Sequence, residues 1–135
     1  MAEKLFNVGV KAVIKQEDKV LIAQNIKGFW EVPGGRIDAN ESIAQALHRE
    51  LREELPNIHS IVTERLLDVH RLHKDIKEDV SLVLVFYEVS ADFDGEPKLS
   101  REHLAYRWAT EPEALKLVYD SCKPAIEAVF STPII

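Results

Sequence analysis

Residues 30–58 read Trp-Glu-Val-Pro-Gly-Gly-Arg-Ile-Asp-Ala-Asn-Glu-Ser-Ile-Ala-Gln-Ala-Leu-His-Arg-Glu-Leu-Arg-Glu-Glu-Leu-Pro-Asn-Ile, and this stretch decides the fold. Its first three residues predict a short strand, which Pro33 ends. Gly34 and Gly35 can adopt backbone angles that other residues avoid, so the chain can turn sharply there and approach a ligand closely. The stretch therefore predicts a strand and a glycine loop, followed by a helix.

The predicted helix begins shortly after the glycine loop. Asn40 is the expected N-cap, and Glu41 falls in the first turn, where a carboxylate suits the helix dipole. Pro56 cannot continue a helix and ends it. Apolar residues recur every four positions, with one alanine alongside, and predict a single buried stripe. They are Ile43, Ala44, Leu47, Leu51 and Leu55.

Three glutamates lie beside this stripe. Glu50, Glu53 and Glu54 are spaced three and four residues apart, so they fan over roughly 100° of one helix flank. Like charges at this spacing destabilise a helix by roughly 0.2–0.5 kcal/mol per pair, which a solvated surface helix could accept. A hard divalent cation is the stronger reason to gather them, because it takes oxygen ligands and itself binds phosphates. Arg49 can bridge to Glu53 and lies within helical reach of Glu41.

The spacing of these residues resembles the signature of the Nudix hydrolases, which is Gly-x5-Glu-x7-Arg-Glu-apolar-x-Glu-Glu-x-Gly-apolar. The matching positions in this sequence are Gly35, Glu41, Arg49, Glu50, Leu51, Glu53 and Glu54. Every charged position of the signature is present. The chain departs from it only at the end, where Pro56 and Asn57 replace the glycine and the apolar residue. That departure affects the turn after the helix and removes no metal ligand.

The resemblance implies an α/β/α sandwich, in which a mixed sheet lies between helices. It also implies a pyrophosphohydrolase that cleaves a nucleoside diphosphate linked to another moiety, with Mg²⁺ as cofactor and Mn²⁺ as a substitute. The implied metal ligands are the carbonyl of Gly34 and the carboxylates of Glu50, Glu53 and Glu54. The alternative is a non-catalytic Nudix-like module that binds a nucleotide or a regulatory partner. Such modules usually lack a carboxylate, and none is missing here.

The base that accepts a proton from the attacking water is Glu53 or Glu102. In related enzymes a glutamate before a late strand often has this role or binds metal, and Glu102 lies in that region. Its competitors there are Glu78, Asp79 and Glu96. The candidate catalytic residues are Glu53, Glu50 and Glu102, with Arg49 orienting the site.

Substrate contacts are less well specified by the sequence. Lys27 and Arg36 are candidates for phosphate binding, and Phe29 and Tyr106 for stacking on a base. An ordinary surface charge or core packing is the alternative for each. Nucleoside triphosphates, oxidised ones included, nucleotide sugars and capped RNA ends all stay open. ADP-ribose is disfavoured, because no proline follows the signature at the position typical of one group that cleaves it.

The composition fits one domain that spans residues 1–135. Hydrophobic residues make up 46%, and the net charge is −6 with a pI near 5.4. An acidic chain argues against nucleic-acid and membrane-surface binding and favours a small nucleotide or diphosphate substrate. The single cysteine, Cys122, and the absence of a signal peptide or a membrane span favour the cytoplasm. A homodimer is compatible with the resemblance, since similar proteins often dimerise.

The rest of the chain predicts further strands and two helices. A strand at 6–14, with its even positions buried on one face, pairs with 20–23 as a hairpin. A long strand at 58–72 contains a bulge or a turn at 63–65, and 80–89 is a central strand buried on both sides. Residues 92–103 form a polar loop, and the last strand lies at 105–108. A capping box of Thr110 and Glu113 starts a helix through Leu117, and Asp120 or Ser121 caps a final helix.

Overall fold

The computed structural model describes residues 3–131, which form seven strands, three α-helices and one short 3-10 helix at Asp120–Cys122. The strands are β1 (Leu5–Gln16), β2 (Lys19–Asn25), β3 (Trp30–Glu31), β4 (Gly34–Arg36), β5 (Ile58–Arg71), β6 (Val80–Phe93) and β7 (His103–Ala109). The helices are α1 (Ile43–Glu54), α2 (Glu111–Leu117) and α3 (Lys123–Phe130). None of the helices in this part of the chain is long and apolar enough to cross a membrane.

The strands form one mixed sheet with the order β3-β2-β1-β6-β5, to which β4 adds beside β1 and β7 beside β2. β1 and β6 run parallel, from Leu5 opposite Val80 to Ile14 opposite Val89. The other strand pairs of the described residues are antiparallel, including the predicted hairpin of β1 and β2. The parallel pair at the centre is what makes the sheet mixed.

Helices cover both faces of this sheet. On one face, α1 packs on β1 in a core that contains Val10, Ala12, Ile14, Leu47 and Leu51. On the other face, α2 and α3 pack on Val13, Ile22 and Phe86 through Ala114, Ile126 and Val129. Each fully buried leucine or isoleucine stabilises the fold by about 1.5–3 kcal/mol. The arrangement is an α/β/α sandwich, so the predicted fold class is confirmed.

The start of α1 differs from the prediction. The N-cap is Ser42, whose hydroxyl accepts a hydrogen bond from the Gln45 N–H at 3.1 Å, while the Gln45 side chain accepts one from the Ser42 N–H at 2.9 Å. The prediction of Asn40 as N-cap is therefore wrong. Glu41 lies before the helix instead of in its first turn. Ser42 with glutamine three residues later makes a reciprocal capping box, which satisfies two backbone N–H groups at the start of the helix.

The buried face of α1 is also shifted from the predicted stripe. Leu47, Leu51 and Leu55 are buried as expected, but Ile43 is 40% exposed and Ala44 is exposed as well. Ala46 takes part in the core instead. Ile43 is the first residue after the N-cap, so the predicted stripe begins in a helix turn that is exposed to solvent.

The glycines after Pro33 do not form a loop. Gly34 and Gly35 belong to β4, which pairs with β1 through Gly34 opposite Lys11 and Gly35 opposite Val10. The predicted strand before them is shorter than expected, since β3 contains only Trp30 and Glu31. The expected glycine loop is therefore corrected to a short strand held close to β1.

Several other strand predictions need correction. β1 buries residues on both faces, because helices cover both sides of the sheet. β6 continues to Phe93; none of its residues from 80 to 89 is exposed, as expected of a central strand, whereas Ser90 and Asp92 are exposed. The predicted loop at 92–103 is shortened at both ends, since β7 already begins at His103. The polar residues 63–65 in β5 lie at a register shift between Thr63 and Arg65, which is a bulge and not a turn.

The C-terminal helices follow the sequence more closely. Thr110 and Glu113 form the predicted capping box of α2, which ends at Leu117 as expected. The final helix differs, because Asp120 begins the 3-10 helix and no side chain caps α3. Pro124 lies in the first turn of α3, where its missing N–H costs no hydrogen bond.

The departure of Pro56 and Asn57 from the signature has a structural role. The Asn57 amide donates to the carbonyls of Asp94 and Glu96 at 3.0 and 2.7 Å, and its oxygen accepts from the Lys98 N–H at 2.9 Å. Asn57 therefore ties the end of α1 to the loop between β6 and β7.

Candidate active site

Arg49, on α1, is the centre of a cluster of acidic side chains that it holds by hydrogen bonds. Its Nε and Nη2 donate to the two carboxylate oxygens of Glu41, at 2.7 and 2.9 Å. Its Nη1 donates to Glu50 Oε1 at 2.8 Å and lies 3.5 Å from Glu53 Oε2. Its Nη2 also donates to the carbonyl of Arg36 at 3.0 Å. One guanidinium thus connects α1 to the loop before it and to β4.

Arg49 and Glu41 stabilise each other's charged forms. Hydrogen bonds from Arg49 and from the Asp38 N–H hold the pKa of Glu41 below its ordinary value. The carboxylates of Glu41 and Glu50 raise the pKa of Arg49, which stays charged throughout the physiological range. A two-pronged guanidinium–carboxylate pair fixes geometry as well as charge. Arg49 therefore reaches Glu41 as expected and contacts Glu50 and Glu53 as well, while its orienting role stays a prediction.

Two glycines let β4 pass close beneath the glutamates. A Cβ at Gly35 would overlap the carboxylate of Glu50. Gly34 has a φ of 143°, and a Cβ there would overlap the carbonyl oxygen of Val10. Gly34 and Gly35 are thus both required by the close approach of β4 to β1 and α1.

Glu54 is the buried member of the cluster, with a side chain that is 4% exposed. Its Oε2 accepts a hydrogen bond from the Gly34 N–H at 2.7 Å. Burial raises the pKa of Glu54 to about 7, against the opposing effects of Lys11, the Gly34 N–H and His103. A carboxyl group kept out of water in this way is poorly compensated when ionised, so a nearby divalent cation would stabilise its charged form.

Lys11, Glu31 and His103 extend the cluster to the neighbouring strands. His103 Nε2 lies 3.0 Å from Glu31 Oε2, and Lys11 Nζ lies 4.0 Å from Glu31 Oε1. Burial alone would raise the pKa of Glu31, but the hydrogen bond with His103 lowers it below its ordinary value. Burial alone would lower the pKa of His103, but Glu31 raises it above its ordinary value. Glu31 and His103 therefore form a hydrogen-bonded pair beside Glu54, in which His103 is buried and Glu31 is partly buried.

The oxygen donors of this site fit a hard divalent cation. Glu50, Glu53 and Glu54 lie along one flank of α1, as the sequence predicted. Among residues 3–131, no three acidic, histidine or cysteine side chains converge as a complete ligand set. Arg49 engages Glu50, and the Gly34 N–H engages Glu54. Mg²⁺ commonly takes one or two protein carboxylates and completes its shell with water and substrate phosphates, so a partial set suits it.

Other predicted site residues lie at the edge of this cluster or outside it. The Glu102 side chain is exposed, and its carboxylate has no hydrogen bond or ion pair within residues 3–131. Arg36 lines a surface cavity of about 410 Å³ together with Asn7, Asp38 and Glu50. Lys27 is exposed in the turn between β2 and β3, where its N–H donates to Asn25 Oδ1 at 3.0 Å.

A second cavity adjoins the cluster on the other side of the sheet. Its volume is about 270 Å³, and its lining includes Lys11, Glu31 and Tyr119 together with Leu72, which follows β5, and Leu82 and Leu84 of β6. Phe29 is 54% exposed and stacks on Tyr119, with ring centroids 5.4 Å apart. Phe29 therefore lies beside the aromatic rim of an apolar cavity. Tyr106 instead donates a hydrogen bond to Glu96 at 2.7 Å.

Sequence reasoning missed Lys11, Glu31 and His103 as members of the site. Glu31 stands in the opening stretch, and His103 follows Glu102, but neither belongs to the signature. The available signal was strand alternation: Lys11 is a charged residue on a strand whose neighbours are buried, which needs an internal partner.

Residues 5–128 match the NUDIX domain family model. The chain belongs to the Nudix family, as the signature predicted, and it is a hydrolase of phosphoric anhydrides. Nudix hydrolases generally use divalent metal ions and act on small nucleotide substrates.

Two curated relatives and one solved structure place the chain within this family. It is 35% identical over 114 residues to the CTP pyrophosphohydrolase of Escherichia coli K12, covering 79% of this chain and 78% of that one. It is 34% identical over 114 residues to the putative 8-oxo-dGTP diphosphatase 2 of Mycobacterium tuberculosis, covering 81% and 77%. Its structure is similar to the solution structure of the E. coli ORF135 protein, with a TM-score of 0.78 and 30% identity over 93% of this chain and 89% of that one. Nothing favours the non-catalytic alternative.

Proposed function

We propose that this protein is a Mg²⁺-dependent nucleoside triphosphate pyrophosphohydrolase. It would convert a nucleoside triphosphate and water into a nucleoside monophosphate and pyrophosphate. The observation that supports this proposal most is the cluster around Arg49. Arg49 holds Glu41 and Glu50 by hydrogen bonds, and Glu54 is buried beside them. The similarity to a CTP pyrophosphohydrolase and to a putative 8-oxo-dGTP diphosphatase supports a triphosphate over a nucleotide sugar.

In this proposal Glu50, Glu53, Glu54 and the Gly34 carbonyl would hold the divalent cation. The cation would neutralise charge on the phosphate oxygens and make water more acidic, which is what divalent ions supply in phosphoryl transfer. Arg49 keeps the carboxylates together before the cation arrives, since it already contacts Glu50 and Glu53. Mn²⁺ would substitute for Mg²⁺, because both accept oxygen ligands.

The proton of the attacking water would go to Glu53 or Glu102. Glu53 is supported by its place on the flank of α1, where its side chain is 58% exposed and open to water. Glu102 is supported by its position directly before β7, the region in which related enzymes often carry such a glutamate. A general base needs to lie within hydrogen-bond reach of the proton that it accepts. The two remain alternatives.

The nucleoside would occupy the cavity of about 270 Å³. Its base would lie against the three leucines that line this cavity, near Phe29 and Tyr119. Glu31 connects this cavity to the catalytic cluster, because it lines the cavity and contacts His103. Arg36 would meet phosphates in the cavity beside Glu50. Lys27 is proposed only as a peripheral phosphate contact.

Residues 1–135 would form one domain, because the two faces of a single sheet supply both hydrophobic cores. A cytoplasmic location and a homodimer stay predictions.

The test is a hydrolysis panel of CTP, 8-oxo-dGTP, UDP-glucose and ADP-ribose, each with Mg²⁺ and with EDTA. Products are separated by ion-exchange chromatography, and water labelled with ¹⁸O shows which phosphorus is attacked. We expect monophosphate and pyrophosphate from a triphosphate, only with Mg²⁺. Hydrolysis confined to UDP-glucose or ADP-ribose would contradict the substrate class. Tight nucleotide binding without release would contradict hydrolysis and support the non-catalytic alternative.

A further inference from the structure

His103 is the first residue of β7 and is almost completely enclosed, with a side chain that is 3% exposed. Its Nε2 is fixed by Glu31 at 3.0 Å. Its Nδ1 is the one buried side-chain nitrogen or oxygen within residues 3–131 that has no hydrogen-bond partner. A buried polar atom without a partner costs about 1–3 kcal/mol, so its persistence calls for an explanation.

The unpartnered Nδ1 of His103 faces the buried carboxylate of Glu54 on α1. His103 Nδ1 lies 3.8 Å from Glu54 Oε1, which is too long for a hydrogen bond. The other oxygen of Glu54 is already engaged by the Gly34 N–H at 2.7 Å. The carboxyl group of Glu54 is thus held from one side by β4 and faced by His103 on the other.

The backbone fixes this arrangement as well. The Ser100 N–H donates to the carbonyl of Glu54 at 3.0 Å, which joins the turn before β7 to the last turn of α1. The His103 N–H donates back to the Ser100 carbonyl at 3.4 Å. The imidazole therefore reaches Glu54 from a segment that is bonded to the same residue through its main chain.

We propose that His103 is a positioning residue for Glu54. Its Nδ1 edge keeps the Glu54 carboxylate from turning away from the flank of α1, while Glu31 prevents the ring itself from turning. The inference rests on the proposed function, in which Glu54 is a metal ligand. Groups that hold a metal ligand in place affect metal affinity by about ten- to hundredfold when they are removed.

Two substitutions of His103 test the contributions of its Nδ1 and its Nε2 separately. The amide of asparagine can occupy the position of Nδ1, and the amide of glutamine can occupy that of Nε2. His103→Asn therefore keeps a polar group toward Glu54, and His103→Gln keeps one toward Glu31. His59 supplies the matched control, because its Nε2 contacts Asp94 Oδ1 at 3.1 Å on the surface.

The primary readout is Mn²⁺ binding to the nucleotide-free protein, measured by electron paramagnetic resonance. We expect His103→Gln to weaken Mn²⁺ binding and to raise the half-saturating Mg²⁺ concentration by about tenfold or more. His103→Asn should weaken Mn²⁺ binding less than His103→Gln does, because it keeps a polar group toward Glu54 and loses only the contact with Glu31. Both His59 variants should stay within about twofold of wild type. The KM for the nucleotide at saturating Mg²⁺ should not change, which a general loss of structure would not produce.

Equal effects of His103→Asn and His103→Gln on Mn²⁺ binding, or no effect of either, would overturn the inference. If the His103 variants do not fold, Glu31→Ala keeps the ring but removes the partner that fixes it, and it must weaken Mn²⁺ binding to sustain the inference. The proposed function fails separately, since it requires Mg²⁺-dependent hydrolysis by the wild type. A wild type that hydrolyses normally beside unaffected variants would refute only the role of His103.

Discussion

Glu54 and His103 make the stability of the metal-free protein depend on pH. Burial raises the pKa of Glu54 to about 7, so the folded protein binds a proton that the unfolded chain releases near pH 4.5. The pKa of His103 is also raised, although burial opposes it, because Glu31 favours the charged ring. A group with a raised pKa in the folded state stabilises the fold below its unfolded pKa and loses that contribution as pH rises.

We therefore predict that metal-free protein loses stability as pH rises from about 5 to 8, by on the order of 3 kcal/mol. Urea unfolding in EDTA at several pH values measures this loss. Glu54→Gln should flatten the dependence, since a neutral amide has no proton to lose. Mg²⁺ should restore stability at pH 8, because it binds the ionised carboxylate. A flat curve for the metal-free wild type would show that Glu54 is not buried as described.

The sequence identified the residues of the signature but not the groups that support them. Glu50, Glu53 and Glu54 were found by spacing along a helix, which is a local property. His103 and Glu31 are far apart in sequence and reach Glu54 only through the pairing of β2 with β3 and β7. No local pattern encodes such a contact, so the pair of Glu31 and His103 could be recognised only in the folded chain.

At the scale of the element, α1 depends on its capping box. Ser42→Ala removes the hydroxyl that accepts from Gln45, and we expect a loss of about 1 kcal/mol. The melting temperature should fall by about 3 °C. Asn40→Ala is the matched control and should change the stability by less than about 0.5 kcal/mol. A larger effect at Asn40 than at Ser42, measured by thermal unfolding, would restore the original N-cap assignment.

The elements that the sequence predicted best have strong local signals. The capping box of α2 and the stripe of Leu47, Leu51 and Leu55 were correct because each depends on residues within a few positions of one another. The first turn of α1 was misplaced because Asn40 and Ser42 are both good caps, and only the tertiary path of the chain selects between them. Gly34 and Gly35 suggested a loop, since glycine is rare in strands, whereas here they allow β4 to approach β1.

At the scale of the molecule, the resemblance to Nudix hydrolases implied the order of the layers, but no residue pattern specified the order of the strands in the sheet. β1 and β6 are parallel neighbours although 63 residues lie between them in the sequence. A buried strand has similar composition whether its neighbour is parallel or antiparallel, so the sequence of β6 alone does not specify the pairing. This pairing brings β1 to the centre of the sheet and places α1 and Lys11 on opposite sides of it.

The central claim is that the acidic flank of α1 holds a divalent cation for hydrolysis of a nucleoside triphosphate. The most direct test compares kcat/KM for CTP or 8-oxo-dGTP at saturating Mg²⁺ in wild type, Glu54→Gln and Glu64→Gln. Glu64 is an exposed glutamate on β5 and serves as the control. We predict a loss of at least about a hundredfold for Glu54→Gln with an unchanged circular dichroism spectrum, and less than about twofold for Glu64→Gln. Wild-type activity in a folded Glu54→Gln variant would contradict the claim.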